Sequence, residues 1–253
     1  MSMVPLFSII TVTYNAARTL PRTLQSVGEQ TCKLYEHIII DGKSADSTID
    51  IVRAFPSNRV WCISEPDKGT YDAMNKGISK AKGEYLIFLN AGDKFHSPKT
   101  LQRLADVILD NDYPGIVYGQ TVLVDDDGIE LGPRHLTAPE ILSLDSFKNG
   151  MVVCHQAMAV LARIAPFYNL EYKYSADYEW GIRCLQHSRC NVYAGTTTID
   201  YLSEGLTTAN HRKSLCERFK IMCEYYGTIP TIVRHAKFLT RHLANRRSAA
   251  NRQ

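Results

Sequence analysis

The stretch Phe7–Asn15, FSIITVTYN, decides the fold. Its first seven residues are mainly β-branched or aromatic, which predicts a buried strand, and a polar turn begins at Thr13. Three more apolar runs with polar residues behind them follow along the chain. They predict strands at His37–Ile40, Val60–Ser64 and Tyr85–Leu89.

Helical stretches separate these strands. The predicted helices cover Ala17–Gln30, Ser44–Phe55 with Ser44 as the N-cap, Thr70–Lys82 and Pro98–Asn111. Four strand–helix repeats within about 110 residues are typical of an α/β protein with a mostly parallel sheet between layers of helices. Ligands of such sheets bind beyond the carboxyl ends of the strands, so the polar residues that follow each strand mark the expected site.

The pattern changes after Gly115. Beyond it the predicted elements are a strand at Ile116–Val124, a tight turn at 125–128, a strand at Met158–Leu161 that pairs back, and a helix at Ala176–Gln186. Two amphipathic helices are predicted at the C-terminal end. Their apolar stripes are Leu215, Phe219, Met222 and Tyr226, and then Ile229, Ile232, Val233, Ala236, Leu239 and Leu243.

Composition places the 253 residues among ordinary globular proteins. Hydrophobic residues make up 45% and charged residues 22%, which excludes disorder, collagen and a coiled coil as the main state. No apolar run approaches the ~18 residues of a membrane-spanning helix, and Met1–Thr13 lacks the features of a signal peptide. The seven cysteines form no CxxC pair, so we expect free thiols and a cytoplasmic protein.

Positive charge is concentrated at the C-terminal end. Residues 211–253 carry ten Lys and Arg against two Glu, whereas residues 1–210 carry an excess of acidic side chains. Three interpretations are open: a solvated face over packed helices, nucleic-acid binding, or contact with an anionic membrane at the inner face of the plasma membrane. The acidic body and the lack of a nucleic-acid motif disfavour nucleic acid.

The common glycine-rich nucleotide motifs do not occur. Gly42–Ser44 matches the end of a P-loop, but His37 stands where that loop needs a glycine. GxGxxG, HExxH and GxSxG motifs do not occur either. The sheet is therefore expected to bind a nucleotide by another device.

Five ordered blocks carry a resemblance to a known family. They are Ser8–Asn15 (SIITVTYN), Ile38–Thr48 (IIIDGKSADST), Glu65–Gly77 (EPDKGTYDAMNKG), Gly83–Asp93 (GEYLIFLNAGD) and Ser175–Trp180 (SADYEW). Together they resemble the family 2 glycosyltransferases of the GT-A fold, in the style of bacterial polysaccharide and O-antigen enzymes. The resemblance implies an inverting transferase that uses a nucleotide-diphosphate sugar. It also implies a GT-A domain at 1–210, with a donor half at 1–112 and an acceptor half at 113–210, and a basic helical extension at 211–253.

The donor site is expected at the strand ends. Thr13 and Tyr14 can cradle a base, and Asp41 can accept a hydrogen bond from a uracil ring N–H, which favours a UDP-sugar. The resemblance adds Asp72 as a second nucleoside contact, and Asn90 is a candidate contact to ribose or phosphate. The simpler interpretations are a turn residue for Asp41 and an exposed helix carboxylate for Asp72.

A divalent cation would neutralise the charge that grows on the leaving diphosphate, and the family binds it with a DxD motif. Here the frame reads Asn90–Asp93 (NAGD), so Asp93 alone is expected to hold Mg²⁺ or Mn²⁺. Met74 stands where many relatives have an arginine near the phosphates. Lys68 and Lys76 are candidate replacements for that arginine.

Inversion needs a base on the face of the sugar opposite the diphosphate. The family uses the aspartate of a Glu-Asp pair near a helix start, which implies Asp177, with Glu179 as the reserve. The alternative for Asp177 is a carboxylate that only favours the helix dipole. His155 and Gln156 are candidates for the acceptor pocket, and a buried, hydrogen-bonded histidine is the alternative for the first.

The predicted function is sugar transfer to a hydroxyl of a glycan or lipid-linked saccharide in cell-surface polysaccharide synthesis. A non-catalytic sugar-nucleotide-binding or assembly subunit with a degenerate DxD motif is the alternative. A nucleotidyltransferase is disfavoured because Asn15–Arg18 is not a glycine-rich basic loop. Trp180 is expected in the core. His211 is a candidate metal ligand only because late histidines bind a metal in some GT-A enzymes.

Overall fold

The computed structural model describes residues 4–203 and 210–236. Within the second range, only the backbone of His211 is described. Within these residues one sheet contains β1 Phe7–Thr13, β2 Tyr35–Asp41, β3 Val60–Ser64, β4 Tyr85–Phe88, β5 Lys94–Phe95, β6 Ile116–Val124, β7 Glu130–Pro133, β8 Met158–Leu161 and β9 Asn191–Leu202. The helices are α1 Leu20–Gly28, α2 Thr48–Ala54, α3 Thr70–Lys80, α4 Thr100–Asp110, α5 Ala176–His187 and α6 His211–Tyr226. Short 3-10 turns lie at Leu144–Asn149, His155–Ala157 and Ala162–Ile164, and residues 228–236 are also helical.

The sheet has the strand order β3-β2-β1-β4-β8-β6-β9-β5, with β7 attached to β6. The first four of these strands are parallel, as predicted. Strand β8 runs antiparallel to both β4 and β6, which confirms that it pairs back, and β6 and β9 are parallel. The first 110 residues and the later ones therefore share one continuous sheet.

Helices cover both faces of this sheet because the side chains of each strand alternate. Ile39 of β2 packs with Leu24 of α1 and Val52 of α2 on one face. Ile40 belongs to the main core cluster on the other face, which includes Met74 of α3. The predicted α/β layers are confirmed.

Helix α2 begins later than predicted. Its first residue is Thr48, and Ser44 is not its N-cap. The Ser44 hydroxyl instead donates to Asp41 Oδ1 (2.5 Å), while Asp46 Oδ1 accepts hydrogen bonds from the N–H and hydroxyl of Thr48. The prediction of Ser44 as a cap was wrong because its oxygen accepts the N–H of Asn15 in the neighbouring turn instead of an N–H of the helix.

Helix α6 is packed into the main core rather than lying beside it. Ile221 and Met222 are buried in that core, whereas Leu215 and Phe219 of the predicted apolar stripe are exposed. Polar contacts with the body add to this packing. The carboxylate of Glu217 accepts the backbone N–H groups of residues 173–175 at 2.7–2.9 Å.

The helical segment 228–236 shows a similar reversal. Ile229, Ile232 and Val233 of the predicted apolar stripe are all exposed, while Thr231 is buried and donates to the carbonyl of Met222. Leu239 and Leu243, the last members of the predicted stripe, lie outside the described residues. In residues 4–203 and 210–236 the helices are too short or too polar to cross a bilayer.

Candidate active site

The carboxyl ends of β1, β2 and β3 lie side by side, because Thr13, Asp41 and Ser64 are register partners in the parallel pairs. In the chain, α3 begins soon after the carboxyl end of β3, and a turn comes directly after the carboxyl end of β4. Both therefore start from the same edge of the sheet. The side chains predicted to bind the donor therefore belong to one edge of the sheet.

Asp41 is the centre of a hydrogen-bond network. Its Oδ1 accepts from the hydroxyls of Thr13 (3.1 Å) and Ser44 (2.5 Å), and its Oδ2 from the hydroxyl of Ser64 (2.6 Å) and the N–H of Ser44 (2.9 Å). Burial works to raise the pKa of Asp41, but these hydrogen bonds outweigh it and hold the pKa below its ordinary value. A carboxylate has about four acceptor positions, and all are used here, so a direct bond to a uracil N–H does not fit this arrangement.

The turn after β1 is tied to the turn after β2. The N–H of Asn15 donates to Ser44 Oγ (2.8 Å), and the N–H of Ala45 donates to Asn15 Oδ1 (2.9 Å). Asn15 has a positive φ of 49°, a conformation that asparagine tolerates better than most residues. The ring of Tyr14 is left 68% exposed beside this turn, where a nucleobase can stack on it.

Gly42 makes room for a carboxylate that sequence reasoning missed. A Cβ at Gly42 would lie 2.5 Å from Asp67 Oδ2 and 3.4 Å from the ring of Tyr14. The other oxygen of Asp67 accepts the N–H of Gly69 (2.8 Å). Asp67 lies in the polar run that follows β3, but nothing in the sequence distinguishes it from its neighbours.

Asp72 lies half-buried in the first turn of α3, and its Oδ2 accepts the N–H of Lys68 (3.0 Å). It therefore closes the loop before the helix, and its contact with a nucleoside stays a prediction. Met74 is buried in the core. Lys76 is paired with Glu65 (2.9 Å), so a role at the phosphates would require it to leave this partner.

The turn after β4 holds Asp93 in the interior. Gly92 has φ +107°, which favours glycine, and Asp93 is only 3% exposed. Asp93 Oδ1 accepts the N–H of Leu202 (3.0 Å) and Oδ2 accepts Nε2 of Gln156 (3.2 Å). Burial raises the pKa of Asp93 to about 6 despite these two hydrogen bonds.

The same turn carries a buried acceptor that has no hydrogen-bond partner among the described residues, Asn90 Oδ1. Oxygen ligands of this kind suit Mg²⁺ or Mn²⁺, which usually take their remaining ligands from water and substrate phosphates. No cluster of three or more His, Cys, Asp or Glu suited to a metal occurs in residues 4–203 and 210–236, and the side chain of His211 lies outside them. Asn90 and Asp93 therefore fit a cation that relies on the donor for further ligands.

Asp177 lies at the start of α5, with 18% of its side chain exposed. The hydroxyl of Tyr71 donates to its Oδ1 (3.1 Å), and His155 Nδ1 lies 3.6 Å from its Oδ2. Burial works to raise the pKa of Asp177, but the neighbouring imidazole of His155 and the charge of Arg218 outweigh it and lower the pKa. An ionised, partly accessible carboxylate of this kind can accept a proton.

Glu179, the reserve candidate, has a different environment. It is buried, its Oε1 accepts the hydroxyl of Tyr225 (2.6 Å), and its Oε2 lies 3.6 Å from Arg183. The contact with Tyr225 joins α5 to α6, whereas Arg183 lies on α5 itself. Asp177 is therefore the better placed of the two carboxylates to meet an acceptor.

Trp180 is fully buried, as predicted, with its ring stacked on Tyr168 (5.1 Å between centroids). Its indole N–H donates to the carbonyl of Pro166 (2.8 Å). His155 is buried as well, but neither of its ring nitrogens has a hydrogen-bond partner among the described residues. The alternative of a hydrogen-bonded core histidine is therefore not supported.

Comparison with known proteins identifies the class of this site. The profile described as Glycosyl transferase family 2 matches residues 8–165, more than half of the chain. The chain therefore belongs to glycosyl transferase family 2. This confirms the family suggested by the five sequence blocks.

Two relatives illustrate the similarity. The chain is 36% identical over 190 residues to a PGL/p-HBAD biosynthesis glycosyltransferase of Mycobacterium bovis, which covers 72% of this chain and 71% of that protein. It is 31% identical over 158 residues to the putative teichuronic acid biosynthesis glycosyltransferase TuaG of Bacillus subtilis, which covers 61% and 62%.

Solved structures confirm the GT-A-like fold. TarS 1–349 of S. aureus in complex with UDP-GlcNAc superposes with a TM-score of 0.70 at 18% identity, covering 94% of this chain and 72% of that chain. The mannosyltransferase PcManGT of Pyrobaculum calidifontis, in complex with GDP-Man and Mn²⁺, gives a TM-score of 0.62 at 17% identity, covering 87% and 64%.

Proposed function

We propose that the chain transfers a sugar from a UDP-sugar to a hydroxyl of a glycan or lipid-linked saccharide, with inversion, in cell-surface polysaccharide synthesis. The observation that carries the proposal is Asp177, a partly accessible carboxylate with a lowered pKa held between Tyr71 and His155. The relatives named for PGL/p-HBAD and teichuronic acid biosynthesis support the substrate class. The TarS complex with UDP-GlcNAc supports the choice of donor.

The reaction is a single displacement. The acceptor oxygen forms a bond to the anomeric carbon while the bond from that carbon to the diphosphate breaks, which inverts the configuration. Asp177 removes the proton of the acceptor hydroxyl as its oxygen attacks, and later releases that proton to solvent. Burial and the neighbouring Asp177 raise the pKa of Tyr71, so this phenol stays protonated and keeps donating to the base.

The donor is held by the strand-end residues. Tyr14 stacks on the base, and Asp67 and Asp72 supply acceptors for the nucleoside, while Asp41 fixes Thr13 beside them. Asn90 and Asp93 would hold Mg²⁺ or Mn²⁺, which when bound neutralises charge on the diphosphate. The PcManGT complex with Mn²⁺ supports this role.

Calorimetric titration with UDP, GDP and dTDP, each with and without Mn²⁺, tests the donor site. We expect UDP to bind and Mn²⁺ to strengthen its binding. Tyr14→Ala is expected to weaken UDP binding by about tenfold, because base–aromatic stacking contributes about 1–3 kcal/mol. Tyr113→Ala, at another exposed tyrosine, serves as the control. Failure of all three nucleotides to bind would contradict the proposal.

A non-catalytic sugar-nucleotide-binding or assembly subunit is the second candidate. The observation that favours it is the single carboxylate of the turn Asn90–Asp93, where the family motif has two. Such a subunit would bind UDP but would not release UDP from any UDP-sugar, with or without an acceptor. Measuring UDP release from UDP-glucose, UDP-galactose and UDP-N-acetylglucosamine in the presence of Mn²⁺ therefore separates it from the enzyme.

The proposal includes peripheral contact with an anionic membrane at the cytoplasmic face. The helical segment 228–236 supports it, because Ile229 is 77% exposed and Ile232 and Val233 are about half exposed. The segment contacts α6 through other residues: Thr231 donates to the Met222 carbonyl, and the ring of His235 packs edge-on against Phe219. An outward apolar face beside basic residues is typical of helices that lie in a membrane interface.

Charge favours lipid over a second copy of the chain as the partner of this face. Arg212, Lys213 and Lys220 are exposed on α6, and residues 237–253 add five Lys and Arg and no acid. Two copies meeting through this face would bring like charges together, whereas anionic headgroups would neutralise them. A lipid-linked acceptor would then be presented to the site from the same surface.

The double variant Ile232→Asp with Val233→Asp tests this contact. We expect its sedimentation with phosphatidylcholine–phosphatidylglycerol vesicles to fall by at least about tenfold, because two apolar side chains no longer enter the interface. Ile141→Asp, at an isoleucine that is also exposed but remote in sequence, is the matched control. Equal sedimentation of wild type and double variant would exclude a membrane role for this face.

A further inference from the structure

One short 3-10 turn, His155–Ala157, reaches both carboxylates of the proposed site. His155 Nδ1 lies 3.6 Å from Asp177 Oδ2, and Gln156 Nε2 donates to Asp93 Oδ2 at 3.2 Å. We infer that His155 is a positioning residue for Asp177: its imidazole orients the carboxylate toward the acceptor hydroxyl. This inference rests on the proposed function.

The environment of His155 supports a functional contact over simple packing. The imidazole is buried, with the rings of Phe88 (6.0 Å) and Tyr168 (6.5 Å) edge-on to it. Within residues 4–203 and 210–236 neither ring nitrogen has a hydrogen-bond partner, and Nδ1 faces the carboxylate of Asp177 at 3.6 Å. Burying a polar nitrogen without a partner costs about 1–3 kcal/mol, a cost that an apolar side chain would avoid.

The carboxylate of Asp177 is flanked from two sides. Tyr71 of α3 donates to Oδ1, and His155 faces Oδ2. The charged and titratable groups that interact with this site from the surrounding elements are Tyr71, His155, Tyr168, Tyr201, Glu217 and Arg218. Arg218 acts on Asp177 through its charge, and His155 is the side chain that faces Oδ2, so the direction of Oδ2 depends on His155.

Orientation matters because the base must meet the acceptor proton at hydrogen-bond distance while the sugar is attacked. A displacement of about 1 Å can lower the rate by about 10²-fold. The hydroxyl of Tyr71 holds Oδ1 and the imidazole of His155 faces Oδ2, so the plane of the carboxylate is constrained from both sides while acceptor positions remain free for the substrate hydroxyl. Without His155 the carboxylate can rotate about its Cβ–Cγ bond and lose this alignment.

Two substitutions separate positioning from packing. His155→Leu fills a similar volume without a donor, whereas His155→Asn keeps an N–H near the place of Nδ1. We expect His155→Leu to lower the turnover number for UDP release by about 10- to 10²-fold with an unchanged UDP dissociation constant. We expect His155→Asn to retain most of the turnover. His135→Leu, which makes the same change at an exposed histidine, is the matched control and should leave turnover unchanged.

A second measurement does not depend on activity. Titration of ¹³C-labelled carboxylates by NMR, with Asp177 assigned from the signal that is lost in Asp177→Asn, should show a higher pKa of Asp177 in His155→Leu than in the wild type. The pH limit for turnover on the acid side should move upward in parallel. An unchanged pKa of Asp177, or equal loss of turnover in His155→Asn and His155→Leu, would overturn the inference. If the wild type released no UDP while the pKa still responded to His155→Leu, the contact would stand and the proposed function would fail.

Discussion

Asp177→Asn is expected to lower the turnover number by about 10²- to 10⁴-fold, the range that general-base catalysis contributes. The amide keeps the size of the carboxylate and can still accept the hydroxyl of Tyr71, but it cannot take a proton from the acceptor. The UDP dissociation constant should not change, because the residue lies on the acceptor side of the donor. Turnover by UDP release and UDP binding by calorimetry measure the two quantities on one preparation.

Glu179→Gln is the matched control for that substitution. It changes the other acidic residue of the same helix, and its amide oxygen can still accept the hydroxyl of Tyr225. Turnover within about threefold of the wild type is expected. A buried hydrogen bond away from the reacting atoms affects the stability of the fold more than the rate of the reaction. If Glu179→Gln abolished turnover and Asp177→Asn did not, the assignment of the base would be reversed.

Local sequence patterns predicted several strands of the sheet well, in both halves of the chain. The bounds of β1, β3, β6 and β8 are the predicted ones, because each is a short run of apolar or β-branched residues between clear turns. Strand β9, Asn191–Leu202, was missed. It is rich in threonine, contains Gly195 with a φ of +72°, and pairs with β6 through register shifts. Its stability comes from a partner about 75 residues earlier in the chain, which no local window contains.

Sequence reasoning named candidate site residues, but it missed Asp67 and did not predict the hydrogen bonds that connect the candidates. Asp41 follows a strand as expected, yet only the structure reveals that Thr13, Ser44 and Ser64 occupy its oxygens. The contact between Tyr71 and Asp177 joins residues 106 positions apart. Such pairings depend on how the elements pack, and residue types and spacing do not encode them.

For the C-terminal helices, the sequence predicted the elements but not which of their residues are buried. An amphipathic pattern correctly predicts a helix, but the pattern alone does not say which medium covers its apolar face. Phe219 and Ile232 are exposed, while Ser214 and Thr231 are buried against the body. Buried apolar residues such as Ile221, together with hydrogen bonds of Ser214 and Thr231, hold these helices in place.

Asp93→Asn is expected to raise the free energy of unfolding and to abolish the contribution of the cation to UDP binding. Burial raises the pKa of Asp93 to about 6 from 3.8, so the folded state holds this proton more tightly than the unfolded chain does. Ionising the buried carboxylate therefore lowers the free energy of unfolding of the wild type. This loss is absent below about pH 4 and complete above about pH 6, where the pKa shift corresponds to about 3 kcal/mol. The neutral amide avoids this loss, and Gln156 can turn its own amide to keep their hydrogen bond.

The free energy of unfolding of Asp93→Asn, measured with urea in EDTA, should therefore rise relative to that of the wild type between pH 4 and pH 7, by up to about 3 kcal/mol. Function should move the other way: the extra UDP affinity that Mn²⁺ provides should disappear, and turnover should fall by about 10²-fold or more, because the carboxylate ligand is gone. Asp110→Asn, at an exposed acid of α4, should change neither quantity. Mn²⁺-dependent UDP binding that survived in Asp93→Asn would show that the cation is held elsewhere. A stability difference independent of pH would show that Asp93 ionises in the folded protein as readily as in the unfolded chain.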